Sequence, residues 1–344
     1  MRVDQESALC LATRLLEERG TPLEHARLQA RVLFEGELKG HPSHGLQRLP
    51  RILARIERTL IDPASAGRSH WRSSSFLEVD GMKGLGPVVA CAALEHLADR
   101  TRQAGVAVAG IRNSNHLGML AYYVERLADK GLIGLAMSSS EALVHPYGGT
   151  QALLGTNPLA IAIPTADRPM VIDLATGIVS MGKIHHHAAN GSPIPRGWAR
   201  DADGRSTTDA TAATKGSIAP FGEAKGYALG MALELMVASV AKSALAPNVR
   251  GTLDANALCN KGDVLIAIDI GEQPEMLASF TTYLNGVRNS LPADPARPVT
   301  VPGDGALARR EEALSSGIAI SPRLWDELNA LSYSSKPLVK GHGQ

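Results

Sequence analysis

The sequence predicts an α/β fold built on a predominantly parallel or mixed sheet. Three observations carry this prediction. From Ser75 onward, short apolar runs alternate with helical patterns across short joins. The runs at 159–164 and 170–174 flank Ala166-Asp167-Arg168-Pro169, a turn that makes them a hairpin. Both ends of the chain carry helical periodicity in place of strands.

The elements follow in order. Asp4 can cap a first helix whose stripe is Ala8, Leu9, Leu11, Ala12, Leu15 and Leu16, closing at Gly20. Thr21-Pro22-Leu23-Glu24 reads as a capping box that opens a second helix running to Leu38. Ser43 is a candidate cap for a third helix reaching Leu60, broken or kinked near Leu49 by Pro50. On it His44, Arg48, Arg51 and Arg55 share a face opposite Leu49, Ile52, Leu53 and Ile56. Arg51 and Arg55 read as solvated, whereas His44 and Arg48 read as a carboxylate-binding pair. Residues 76–79, 106–111, 132–137 and 263–270 read as further strands. Residues 88–103, 117–130, 224–245, 274–291, 306–316 and 322–331 read as helices, and 182–222 as a long functional loop or partner-contacting arm.

Composition narrows the function. With 344 residues, a net charge of +1 and only 4% aromatics, no charge field or stacking platform points to nucleic acid or an anionic membrane. No uninterrupted apolar run approaches a bilayer span, and the acidic N-terminus is no signal peptide. Cys10, Cys91 and Cys259 match no metal spacing and read as reduced thiols, so a cytoplasmic protein is expected.

Several motifs test specific chemistries. Gly81-Met82-Lys83-Gly84-Leu85-Gly86 lacks the spacing of a dinucleotide fingerprint, so it reads as a tight connection with close backbone packing. His185-His186-His187 cannot all ligate one ion, and no metal is expected; a pH-sensitive or cofactor-facing loop fits better. Adjacent Ser43 and His44 make a poor nucleophile pair, and no serine elbow exists, which leaves a hydrolase weakly supported. His44, His116, Arg48, Lys183 and Lys225 together suit reduction of a 2-oxo acid by a hydride donor, although these residues alone leave the reaction open.

The ordered motifs carry more. Pro42-Ser43-His44-Gly45 with Arg48, Asn113-Ser114-Asn115-His116-Leu117-Gly118, Gly155-Thr156-Asn157-Pro158, Asp173-Leu174-Ala175-Thr176, Gly182-Lys183, Gly197-Trp198 with Asp201 and Gly204, and Lys225-Gly226-Tyr227 span nearly the whole chain. Together they resemble the malate/L-lactate dehydrogenase family that is unrelated to Rossmann-type enzymes. That resemblance implies a family-specific non-Rossmann fold: a mixed-sheet cofactor region over 71–274 and a helical region from 1–70 with 275–344. It also implies a homodimer, NAD or NADP, and a small 2-oxo/2-hydroxy acid of malate, lactate, sulfolactate or ureidoglycolate type.

Carried over by motif, His116 is the proton donor and acceptor, with His44 as partner or alternative. Arg48 clamps the carboxylate, with Ser43 and Lys183 as further substrate contacts. Ser140, Asp173, Leu174, Ala175, Thr176, Lys225, Pro302, Gly303 and Asp304 contact the cofactor. Two departures matter. Imine-reducing members carry an aspartate where this chain has Lys183, which ranks cyclic ketimine reduction second. Gly177 replaces the usual serine. The stretches Ala244-Leu245-Ala246-Pro247-Asn248 and Cys259-Asn260-Lys261-Gly262 resemble the sulfolactate/malate side of the family. A non-catalytic dimeric binding homologue is the rival from another class.

Overall fold

A computed structural model describes residues 1–333; residues 334–344, the end of the expected C-terminal helical region, lie outside the described residues. The chain opens with β1 (Arg2–Val3), α1 (Gln5–Glu17) and α2 (Leu23–Leu38), then two single 3₁₀ turns, Pro42–His44 and Leu46–Arg48, before α3 (Leu49–Glu57). The α/β rhythm follows: β2 (Arg68–Trp71), β3 (Phe76–Asp80), α4 (Gly86–Ala104), β4 (Val106–Arg112), α5 (Ala121–Ala128), β5 (Leu132–Ser138), β6 (Leu159–Ile163) and β7 (Met170–Leu174). Next come α6 (Met181–Ala189), β8 (Ala199–Arg200), β9 (Ser206–Thr207), α7 (Ala210–Ala213), β10 (Ser217–Ile218), α8 (Ala224–Ala241) and β11 (Asp263–Asp269). The chain closes with α9 (Pro274–Arg288), α10 (Asp304–Ser316), β12 (Ile318–Ala319) and α11 (Pro322–Tyr333).

Seven strands form the main sheet in the order β2-β3-β4-β11-β5-β6-β7, and only the β3–β4 pair is parallel. A doubly wound parallel sheet is therefore absent, in line with the missing fingerprint. Side chains alternate across the strands. Ala107, Ala109 and Ile111 of β4 and Leu265 and Ala267 of β11 join the core under α4 and α5. Val108, Val264 and Ile266 face the other way, toward Leu233, Val237 and Val240 of α8. The many alanines on the first face let α4 and α5 approach closely.

A second core joins α1, α2, α3 and α11, and β1 pairs with β12 to tie the two ends of the described chain together. Asp4 caps α1 as expected, its carboxylate accepting the Ser7 N–H at 2.9 Å.

Several expectations are corrected. The capping box at Thr21 does not form: Pro22 occupies the cap, no side chain closes it, and the buried Thr21 hydroxyl has no partner among the described residues. Ser43 to Leu60 is no single helix, because the chain turns through two 3₁₀ turns before Pro50 can begin α3. Residues 182–222 are no loop; α6, α7 and the three-stranded sheet β10-β8-β9 enclose a small core of their own, with Val144 and Leu154 from the preceding loops. His185, His186 and His187 thus sit on a helix. By length and composition α8 is long and apolar enough to cross a bilayer, although its inner residues, Gly226, Gly230, Leu233 and Val237 among them, are buried in the protein.

Arg55 carries the sharpest lesson. It is only 3% exposed, against the solvated role expected of it. Its guanidinium donates to Asn115 Oδ1 at 3.0 Å and to the Asp254 and Ala257 carbonyls at 2.9 and 3.0 Å. It therefore pins the 250–258 loop to α3. Replacing Arg55 with Met, of similar length but without donors, should lower the unfolding free energy by about 3 kcal/mol by stranding buried acceptors. Denaturant titration at unchanged m-value checks this, and a loss below about 0.5 kcal/mol would contradict the buried role.

Candidate active site

One cavity of about 290 Å³ gathers the chemistry. Its walls include Ser43, His44, Arg48, His116, Ser140, Asp173, Leu174 and Ala175, all expected at a site, together with Glu141, Thr252 and Lys261, which were not.

The turn after β4 delivers His116. Asn115 Nδ2 donates to the Lys83 and Gly84 carbonyls at 2.9 Å each. Gly86 lies so close that a Cβ there would sit 2.3 Å from the His116 carbonyl oxygen, so the turn at Gly81–Gly86 gains its role from backbone approach, as its sequence suggested. The Tyr123 hydroxyl holds the Leu117 carbonyl at 2.5 Å, and the Gly118 N–H donates to His116 Nδ1 at 2.9 Å.

The 3₁₀ turns after α2 deliver Ser43, His44 and Arg48. Glu37 Oε1 accepts the Leu46 N–H at 2.7 Å, and a Cβ on Gly45 would strike that carboxylate. Ser43 Oγ lies 3.0 Å from His44 Nδ1, and the His44 and His116 rings are 5.4 Å apart, centroid to centroid. Arg48 Nε donates to the Ser43 carbonyl at 2.8 Å and Nη1 to the Thr252 carbonyl at 3.1 Å. No carboxylate pairs with it among the described residues.

Charge in the cavity follows from this arrangement. Desolvation, then the Arg48 and His41 charges, pushes His44 down to about 3. Desolvation, then Arg48, His44 and Lys261, holds His116 well below the ordinary imidazole range. Arg48 itself is lowered to about 10 by burial. Burial raises Asp173 to about 6, against the pull of the Ala121 N–H bonded to it at 2.8 Å.

Other expected residues lie apart. Lys183 is exposed, its Nζ over the Trp198 ring at 5.0 Å from the centroid. Lys225 is exposed in the first turn of α8. Thr176 is buried and donates its hydroxyl to the Thr156 carbonyl at 2.9 Å. Asp304 pairs with Arg288 at 2.7 Å, and Gly303 rests against Val171 on the outer edge of β7.

Sequence reasoning missed Glu141 and Lys261. The Glu141 carboxylate accepts the Thr252 and Leu253 N–H groups at 2.7 and 2.9 Å, and the Thr252 hydroxyl as well. It thus secures the carbonyl that holds Arg48. Lys261, 2% exposed, pairs with the fully buried Asp263 at 2.5 Å, and Ser138 Oγ donates to the same carboxylate at 2.7 Å. An available signal was the lysine two residues from an aspartate that opens a strongly apolar strand, since such an acid needs a partner.

A family model described as malate/L-lactate dehydrogenase matches residues 3–329. The chain belongs to that family. A crystal structure of a dehydrogenase from Sinorhizobium meliloti superposes with a TM-score of 0.93 at 55% identity, covering 96% of this chain and 98% of that one. The malate/(S)-sulfolactate dehydrogenase of Methanothermus fervidus is 31% identical over 335 residues, 96% of this chain and 97% of that protein. The Delta(1)-pyrroline-2-carboxylate reductase of Pseudomonas fluorescens is 32% identical over 332 residues, 95% and 97% of the two chains. As a family dehydrogenase the chain is a nicotinamide-dependent oxidoreductase acting on the CH–OH group of a small 2-hydroxy acid.

The cavity suits the cofactor's reactive end. Met119, Leu120, Pro158 and Leu174 supply an apolar wall, and Ser138, Ser139, Ser140 and Thr156 supply a polar rim, the pairing a flat ring with an amide edge requires.

Glu37 gives this region a pH signature. Burial raises its carboxyl to about 7. A carboxyl raised by folding loses its stabilising contribution as pH rises through the folded value. Glu37→Gln keeps the acceptor for Leu46 and stays uncharged. It should match the parent near pH 4 and exceed it by about 2 kcal/mol near pH 9. Thermal unfolding across pH checks this; a constant offset would show that Glu37 is not the group concerned.

Proposed function

We propose that the chain transfers hydride between a nicotinamide cofactor and C2 of a small 2-oxo/2-hydroxy acid of the malate or sulfolactate type, with His116 and His44 at the C2 oxygen and Arg48 on the carboxylate. The observation that carries this reading is Arg48: a half-buried cation bonded to two carbonyls, with no carboxylate partner among the described residues. Its remaining N–H groups can take a carboxylate at two points. A substrate fixed there places its C2 oxygen by the paired imidazoles and its carbonyl carbon by the apolar wall.

Bound nicotinamide supplies the hydride. The chain's part is to orient the acid, exclude water and serve the oxygen. Ser140 Oγ accepts the Thr156 N–H at 3.0 Å, stiffening the rim against which the cofactor amide rests, and Asp173, Leu174 and Ala175 border the same end. Lys225 and the Pro302-Gly303-Asp304 turn then serve more distant parts of the cofactor. The reading also includes a homodimer, supported by the exposed apolar stripe Ala228, Leu229, Ala232, Leu235 and Met236 on α8, and a cytoplasmic location, supported by three free thiols.

Cyclic ketimine reduction is the second reading, favoured by the pyrroline-2-carboxylate reductase relative. With Lys183 outside the cavity, its cation weighs less against an imine than the sequence implied.

A panel of 2-oxo acids and cyclic imines with NADH and NADPH, followed by nicotinamide absorbance, tests the reading. Reduction of a 2-oxo dicarboxylate or sulfonate is expected; turnover of imines alone would overturn it. His116→Ala should lower kcat by about 100-fold or more while cofactor affinity holds. Arg48→Lys should raise KM by about 10-fold or more, because a point charge cannot replace the fork. Unchanged KM would remove Arg48 from the carboxylate.

A further inference from the structure

We infer that the two histidines divide the work at the C2 oxygen: His116 is a permanently neutral hydrogen-bond donor, and His44 with Ser43 is the route by which the proton moves. The inference rests on the 2-oxo acid reading and assigns the parts within it.

The Gly118 N–H decides the state of His116. A backbone amide only donates, so the Nδ1 it meets at 2.9 Å must present a lone pair. A neutral ring with a bare Nδ1 carries its proton on Nε2. That donor can hold a carbonyl oxygen and the alkoxide it becomes. Taking up a second proton would set N–H against N–H at Gly118. Giving up the one on Nε2 would leave an imidazolate, far outside the neutral range.

The turn cannot easily relieve this lock. Gly118 has φ +80, which strains any other residue. The Leu117 carbonyl is tied to Tyr123, and the His116 carbonyl is wedged against Gly86. The charged groups facing the ring are Arg48, Arg51 and Lys261, with His44 beside it, and all oppose a positive charge there.

His44 has the opposite freedom. Its Nδ1 meets the Ser43 hydroxyl, which rotates to donate or accept and so tolerates either protonation state. What opposes a proton on His44 is burial first, then the charges of Arg48 and His41. A substrate carboxylate on Arg48 neutralises the larger of those charges, so binding itself raises the proton affinity of His44. Ser43 sits at the cavity wall beside the exposed Gly182, where an added Cβ would lie 3.3 Å from that of Ser43.

The step balances. In reduction, hydride arrives at C2 from the nicotinamide and the carbonyl π pair moves to oxygen, held by the His116 Nε2–H. Before the step the neutral His44 ring, protonated on Nε2, takes a proton from solvent at Nδ1 through Ser43. The oxygen then takes the Nε2 proton, and the Nδ1–H ring left behind returns to the Nε2–H form by exchange with solvent once product leaves. Ring centroids 5.4 Å apart put the two imidazoles side by side on one wall of the cavity.

The test pairs spectroscopy with kinetics. In the ¹⁵N spectrum of histidine-labelled enzyme, assigned with His116→Asn, the His116 Nδ1 should stay a bare acceptor from about pH 5 to about pH 9. An Nδ1–H tautomer, or titration to imidazolium, overturns the lock. His116→Asn, which can still donate, should lose about 10-fold to 100-fold in kcat but keep the pH profile of kcat/KM and the solvent isotope effect. His44→Asn should lose that ionisation and recover activity with added imidazole. The ionisation vanishing with His116 and surviving loss of His44 would overturn the division. A chain that reduces no 2-oxo acid with either nicotinamide overturns the reaction reading and the relay with it. A bare Nδ1 in the same spectra would separate that failure from failure of the lock.

Discussion

A half-buried guanidinium, with no carboxylate among the described residues to answer it, sets the terms for the whole site. Arg48 spends two of its N–H groups on carbonyls that lie far apart in sequence, those of Ser43 and Thr252. Backbone oxygens satisfy its geometry without cancelling its charge. Its charge adds to burial in keeping the neighbouring imidazoles neutral, and an anionic ligand becomes the missing member of the set. The fold must hold two distant loops against one side chain for this to work.

Most of that holding is done by backbone contacts. Glu141, next to Ser140, grips the loop that presents the Thr252 carbonyl. Arg55 anchors the following residues of the same loop and, through Asn115, the turn that carries His116. Glu37 fixes the junction between the two 3₁₀ turns. Three acids or bases thus determine where the reacting groups stand, and each is at least partly withdrawn from solvent to do so.

Local pattern made much of this legible. Apolar periodicity located α1, α4, α8 and the strands β4, β5 and β11, because those segments bury one face or both. Ordered motifs pointed to Ser43, His44, Arg48, His116 and Ser140, which the fold gathers in one cavity. What the pattern missed depends on contacts far away in sequence. Helical spacing alone gave Arg55 a solvent face, since the 250–258 loop that covers it has no local trace. Lys261 was given no role of its own, because its burial is sensible only once Asp263 and Ser138 surround it. Thr21 had the right residues for a capping box, yet Pro22 took the cap. The 182–222 segment looked like a loop because its strands are two residues long and its core is closed by Val144 and Leu154 from elsewhere.

The position of β11 has a consequence for how the molecule is made. β4 and β5 follow one another along the chain, yet the strand that hydrogen-bonds to both is synthesised far later. Until Asp263–Asp269 has left the ribosome, each of those apolar strands presents an open edge to whatever is near. The sheet's middle is thus the last part available to close, across a long and entropically costly loop. Protection of two bare edges during synthesis is a demand that this topology places on the cell, separate from anything the finished catalyst does.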